Sequence, residues 1–308
     1  MLRLSDRARR RASRTHVCRY GLRVAYRWDN PPVLRGPYDS RSEPSTRSAV
    51  PSAAMSPWRS TSSVALAAGR PSCRQRKGDA VTLGEAWEAH ADDWIRWART
   101  AEHDGFWDGT WPELEAVLPP PSDGPVVEVG CGEGRVGRKL LEQGRQVVGI
   151  ELSTTLSRAA RTGDPPLSVV LADAAHLPLA DAAVASVVAC MSLLDVDDLT
   201  GTVAEAARVL RPGGGLYVAI VHPFASAQDP ESMHTHEPAI SLNYLEERRY
   251  EDRMERDGLA MTFVSAHRPL SAYVAAGAAA GLVMTTLREF GSKPIPWLLT
   301  AAFEKHGH

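Results

Sequence analysis

The chain has 308 residues, 35 Lys+Arg against 37 Asp+Glu, a formal net charge of -2 and 44% hydrophobic residues. That length admits up to two domains of roughly 150 residues each, and apolar content near the globular norm of about 45–50% excludes wholesale disorder. No stretch reaches the ~18 uncharged apolar residues of a membrane helix, so no membrane partner is expected.

Near-neutrality conceals a split. Residues 1–80 carry 17 Lys+Arg and five acids, whereas residues 81–308 carry 18 Lys+Arg and 32 acids. The first 80 residues, rich in Arg, Ser and Pro, show no sustained period of two or 3.6 and are expected to be a disordered basic extension. Three readings stay open for it: an over-extended start with translation beginning near Val81, an organellar targeting segment, and a phosphate-attracted arm. A secretory signal fits badly, because no apolar run follows Arg9–Arg14.

Residues 81–308 are expected to form one domain. Its first element is a helix over Thr82–Arg99, with Trp87, Trp94 and Trp97 near one face. Pro119-Pro120-Pro121 then stops the chain before a buried strand, Val126–Val129. A glycine-rich turn leads into a helix ending near Gln143. Strand 146–150, helix Ser153–Arg161, strands 168–172 and 184–190, helix Asp198–Leu210 and strand 215–221 follow. Residues 222–269 read as irregular, with Arg248, Arg249, Arg253 and Arg256 on a solvated helix face. Helix Ser271–Ala280 and strands 282–288 and 297–304 complete the chain. Short apolar runs alternating with helices predict an α/β fold: a doubly wound, mostly parallel, seven-stranded sheet binding ligands at its strands' carboxyl ends.

The turn Gly130-Cys131-Gly132-Glu133-Gly134 is a nucleotide cradle in general, because glycine admits positive φ and close backbone approach. Its spacing departs from the G-x-G-x-x-G of dinucleotide sites. Glu128 stands at the loop's mouth, where a carboxylate repels a pyrophosphate and suits a cationic amino-acid group. Glu151 ends the second strand, placed for ribose hydroxyls. Asp173 ends the third, placed for the amine of adenine. Three acids on successive strand ends suggest an adenosine ligand carrying a positive amino acid.

These segments, with Ala172–Leu179 and Val209-Leu210-Arg211-Pro212-Gly213-Gly214-Gly215, resemble the class I S-adenosylmethionine-dependent methyltransferases of the type 11 small-molecule group over residues 85–304. The resemblance implies a Rossmann-like fold and S-adenosyl-L-methionine as cofactor. It implies cofactor contacts from Glu128, Gly130, Cys131, Gly132, Gly134, Arg135, Glu151, Leu152, Asp173, Ala174, Cys190 and Met191. Asp173→Ala is expected to weaken cofactor binding, and Glu133→Ala to affect it little.

Methyl transfer from a sulfonium needs in-line placement, and a hydroxyl acceptor also needs a base. His222, after strand five, is the catalytic candidate, with a positioning role as its alternative. The expected acceptor is a small molecule, taking the methyl on O, N or C, and the domain's acidic balance disfavours nucleic acid. A decoy tetrad, Asp29-Asn30-Pro31-Pro32, lacks the aromatic that stacks on a flipped base, because Val33 follows. Cys18, Cys73, Cys131 and Cys190 form no C-x-x-C, so neither disulfide nor zinc is expected, in a reducing cytoplasmic setting. His234, His236 and Glu237 are more simply a solvated loop than a metal site. Rival readings are an NAD(P)-dependent reductase and a non-catalytic module binding the same cofactor.

Overall fold

Val126–Val129 (β1) is buried along its whole length, and its pleat divides the domain. Val127 and Val129 face one apolar layer, whereas Val126 faces the other. Glu128 shares the face of Val126 by the same alternation. The computed structural model describes residues 81–307 apart from 101–102, 122–123, 229–239, 241 and 292–293. The basic extension, the Asp29–Pro32 tetrad and the His234/His236/Glu237 group lie outside the described residues.

Parallel strands β2 (Val147–Glu151), β3 (Ser168–Leu171), β4 (Val184–Cys190) and β5 (Leu210–Val221) flank β1. With β8 (Leu282–Phe290) and β9 (Leu298–Lys305) they form one seven-stranded sheet, in the order β3-β2-β1-β4-β5-β9-β8. Strand β9 is antiparallel to both β5 and β8. This is the mostly parallel, doubly wound sheet expected from the sequence. Helix α6 (Leu199–Val209) and helix α8 (Leu270–Ala279) cover one face through Val203, Ala206, Tyr273 and Ala276. Helices α3 (Trp111–Glu115), α4 (Arg135–Glu142) and α5 (Thr154–Arg161) cover the other through Leu114, Val136, Leu140 and Ala160. Removing a fully buried leucine such as Leu140 costs about 2–5 kcal/mol in comparable cores. No helix among the described residues is long and apolar enough to cross a membrane.

Two expectations need correction. The first helix is broken at His90 into α1 (Leu83–Ala89) and α2 (Ala91–Arg99). Thr82 and Glu85 form a capping box that starts α1, and His90, at ψ 8°, turns the chain between the two. The larger correction concerns residues 222–269. Short helix α7 (Pro223–Ser226) caps β5, and Arg248–Arg256 (β6) pairs antiparallel with Leu259–His267 (β7). The arginines therefore lie on a strand. Arg249, Glu251, Arg253 and Glu255 alternate with Tyr250, Asp252 and Met254, a period of two. Asp257 and Gly258 both have positive φ and form the two-residue turn that such hairpins favour.

Candidate active site

The sheet order brings five strand ends side by side: Asp173 after β3, Glu151 on β2, Gly130 after β1, Met191 after β4 and His222 after β5. Gly130, Gly132 and Gly134 all have positive φ, of 67°, 56° and 94°. At Gly130 a Cβ would sit 2.6 Å from Ser192 Cβ, so only glycine fits. Ser192 explains that approach, because its hydroxyl donates to the Val129 carbonyl at 2.6 Å. Its neighbour Met191 carries a φ of 54°, uncommon for a residue with a side chain.

Two acids hold the loop from different sides. Glu151 is buried; its carboxylate accepts from the Gly132 amide at 2.7 Å and the Ser153 amide at 2.9 Å. Burial raises its pKa, and those amides oppose the rise. Glu128, 2% exposed, lies beneath the loop against the start of α4. Burial, followed by the charges of Glu151 and Glu133, pushes its carboxyl well above the usual range, and the Gly137 amide offsets part of that cost. Gly137 permits the approach, since a Cβ there would lie 2.7 Å from Glu128 Oε2. That oxygen has no hydrogen-bond partner among the described residues.

Arg135 leaves the loop under an aromatic cover. Its guanidinium lies 3.7 Å from the Phe106 ring centroid and 4.7 Å from that of Trp94, and it pairs with Asp104 at 2.5 Å. Trp94 in turn packs edge-on against Trp87 and Phe263. Leu152 is exposed beside Gly84 of α1. Asp173 is exposed and accepts from the Ala175 amide at 2.9 Å, with Ala174 buried between them. Cys131 and Cys190 are free buried thiols. Burial pushes Cys190 up to about 12, against the opposing charge of Arg135, so it stays protonated at neutral pH. Burial likewise raises Cys131.

Glu133, expected to matter little for cofactor binding, has a structural role that the sequence reading did not foresee. Its buried carboxylate accepts from Arg99 at 2.8 Å and from Arg138 at 2.6 Å, tying α2 and α4 to the glycine loop. No residue pattern nearby announces this contact, because Arg99 is 34 residues away in sequence.

His222 is 1% exposed, with both ring nitrogens engaged. Nδ1 accepts the Phe224 amide at 3.0 Å as the cap of α7, which leaves the proton on Nε2 to donate to Glu289 at 2.7 Å. Burial lowers its pKa, and Glu289 partly restores it. The imidazole is therefore neutral and fixed at neutral pH.

Sequence reading missed Asp195, which sits on the turn after β4 and accepts from the Ser265 hydroxyl at 2.7 Å. Its only signal is an acid directly after Leu193-Leu194, the first of three within Asp195–Asp198. Among the described residues no group of three or more His, Cys, Asp or Glu is arranged to hold a metal ion.

Residues 127–218 match the family described as "Methyltransferase domain" (Methyltransf_11). Over 94 residues the chain is 33% identical to a demethylmenaquinone methyltransferase of Beutenbergia cavernae, covering 30% of this chain and 39% of that protein. It is 37% identical over 94 residues to a probable S-adenosylmethionine-dependent methyltransferase of Mycobacterium tuberculosis, covering 30% of this chain and 34% of that one. The chain thus spans between a third and two fifths of the length of these curated relatives. An S-adenosylmethionine-dependent methyltransferase from Mesorhizobium loti has the same fold, with a TM-score of 0.52 at 22% identity, over 64% of this chain and 99% of that one. Residues 127–218 thus resemble a methyltransferase domain, and the described residues share the fold of the Mesorhizobium loti structure.

Proposed function

We propose that this chain transfers a methyl group from S-adenosylmethionine to a small-molecule acceptor. One observation carries the reading: two buried acids, Glu128 and Glu151, sit under and beside a glycine loop whose three glycines all take positive φ. Buried acids that lack a counter-charge favour an ammonium or sulfonium, which restores their ionised forms, over the pyrophosphate of a dinucleotide. The unpartnered Glu128 Oε2 and the glycine cradle both fit the cofactor's amino-acid end. When bound, the cofactor supplies an electrophilic methyl group.

The chain's own residues divide the remaining work. Gly130, Cys131, Gly132 and Gly134 receive the amino-acid end, and Glu128 orders that loop from below. Glu151 and Leu152 hold the ribose side, Asp173 and Ala174 the adenine side, and Cys190 and Met191 the wall beside the methyl group. Arg135, packed under Trp94 and Phe106, closes the aromatic side against water. His222 acts by position, because neither ring nitrogen is left to take a proton from an acceptor.

The acidic balance of residues 81–308 argues for a small molecule over nucleic acid, and the reduced buried thiols suit a cytoplasmic setting. The test is incubation of the full chain with methyl-labelled S-adenosylmethionine and a matched cell extract, followed by untargeted mass spectrometry. A labelled small molecule absent from the enzyme-free control is expected. Label confined to unreacted cofactor would contradict the reading.

A further inference from the structure

The turn after β4 is pinned beneath the hairpin by a run of contacts that the cofactor loop does not use. The Ala266 amide donates to the Leu194 carbonyl at 2.8 Å, and buried Arg268 donates to the carbonyls of Leu193 and Val196 at 3.1 and 2.6 Å. Leu193 and Leu194 are committed to the core. Asp195, between these fixed points, keeps part of its surface exposed while its carboxylate is turned inward to the Ser265 hydroxyl. Its amide donates to the Ser192 carbonyl at 2.8 Å, which ties it to the residue seated on Gly130. Groups from every neighbouring element face its carboxylate: Ser265 and Tyr250 from the hairpin, Trp87 from α1, Arg268 after β7, Tyr273 from α8 and Glu151 from β2. Ser265 and Tyr250 are cross-strand partners in register.

We propose that Asp195 is the proton acceptor of the reaction and that the methyl acceptor is a hydroxyl compound with an apolar body. The inference rests on the methyl-transfer reading above. A neutral amine attacks with its own lone pair and needs no base before attack, whereas a hydroxyl gains nucleophilicity by losing its proton. A carboxylate four residues past Met191, with its amide tied to Ser192, therefore selects for a hydroxyl. Phe263, two residues from Ser265 on the same face of β7, packs edge-on against Trp94, whose indole lies against Gly132, and these rings supply the apolar wall. As the oxygen lone pair forms the new O–C bond, the S–C bond breaks and its electron pair stays on sulfur, leaving a neutral thioether. The hydroxyl proton passes to Asp195 and then to solvent. Burial raises the Asp195 carboxyl to about 8, against the Ser265 hydrogen bond and the Arg268 charge, so its basicity exceeds that of an ordinary carboxylate.

The test is calorimetric titration of the full chain with S-adenosylhomocysteine and with sinefungin, in which C–NH3+ replaces S–CH3 and carries an ammonium along the methyl's path. At pH 8.5 the native protein should bind sinefungin at least about tenfold more tightly than S-adenosylhomocysteine. In D195N that preference should fall to within about twofold, with S-adenosylhomocysteine affinity held within about threefold. S265A, which removes the hydroxyl that orients the carboxylate, should give an intermediate preference. A preference unchanged in both variants, or absent from the native protein while S-adenosylhomocysteine binds, overturns this inference alone. A native protein that binds neither compound overturns the methyl-transfer reading and this inference with it.

Discussion

Glu151 Oε2 accepts the Gly132 amide at 2.7 Å, so the last residue of β2 holds the loop that follows β1. The same carboxylate accepts from Ser153 at the start of α5. One side chain thus fixes the floor and one wall of the candidate site. Charge-assisted hydrogen bonds contribute about 1.5–3 kcal/mol each. Glu151→Ala should weaken S-adenosylhomocysteine binding by roughly 10- to 100-fold in calorimetry, and Glu151→Gln by less. An unchanged affinity in the alanine variant would separate this carboxylate from the cofactor.

Glu133→Ala should destabilise the domain by about 2–4 kcal/mol in urea unfolding. The carboxylate joins Arg99 and Arg138 from two helices, and its removal strands two cations. Arg99 keeps some solvent contact, which holds the cost below that of a wholly buried pair. A change under about 0.5 kcal/mol, the usual range of an exposed substitution, would contradict the packing described.

Gly130→Ala combines a φ of 67° with a Cβ placed 2.6 Å from Ser192 Cβ. The backbone term is roughly 1–2 kcal/mol, and overpacking adds roughly 1–3. Thermal unfolding should shift downward by several degrees, and cofactor affinity should fall because the loop must move. Gly213 is a useful contrast, since it also has positive φ but its Cβ would meet nothing within 4 Å. Gly213→Ala should carry the backbone term alone.

The pH dependence of stability follows from the direction of the shifts. Burial raises Asp195 from its ordinary value of 3.8 to about 8, so between those values the folded state holds a proton that the unfolded state has released. The resulting stabilisation is complete below pH ~4 and is lost as pH rises through ~8. Glu128 and Glu151 are raised too and act in the same sense. His222 and His267 are lowered, mainly by burial, so their contribution is lost as pH falls below ~6.5. D195N should therefore gain Tm relative to the native protein as pH rises from 5 to 9. A constant difference across that range would show that Asp195 does not titrate as described.

Much of this arrangement was legible in the sequence because its signals are local. A strand, a glycine turn and a helix lie within residues 126–142, the acids Glu151 and Asp173 each close an apolar run, and Glu128 interrupts one. The hairpin was legible in principle through Asp257-Gly258 and the alternation on either side. It was missed because charged residues at 249, 251, 253 and 255 also suit a helix face paired by ions. Asp195 and Glu133 were not legible, since their partners Ser265 and Arg99 lie 70 and 34 residues away. His222 was placed correctly at the end of β5, but only the structure shows both ring nitrogens occupied.

Competitive calorimetry of the full native chain with S-adenosylhomocysteine and NADH tests the central claim most directly. Saturable one-to-one binding of S-adenosylhomocysteine, with no heat from NADH, is the result expected from two carboxylates beneath a tightly spaced glycine loop. Saturable NADH binding with no heat from S-adenosylhomocysteine would contradict it.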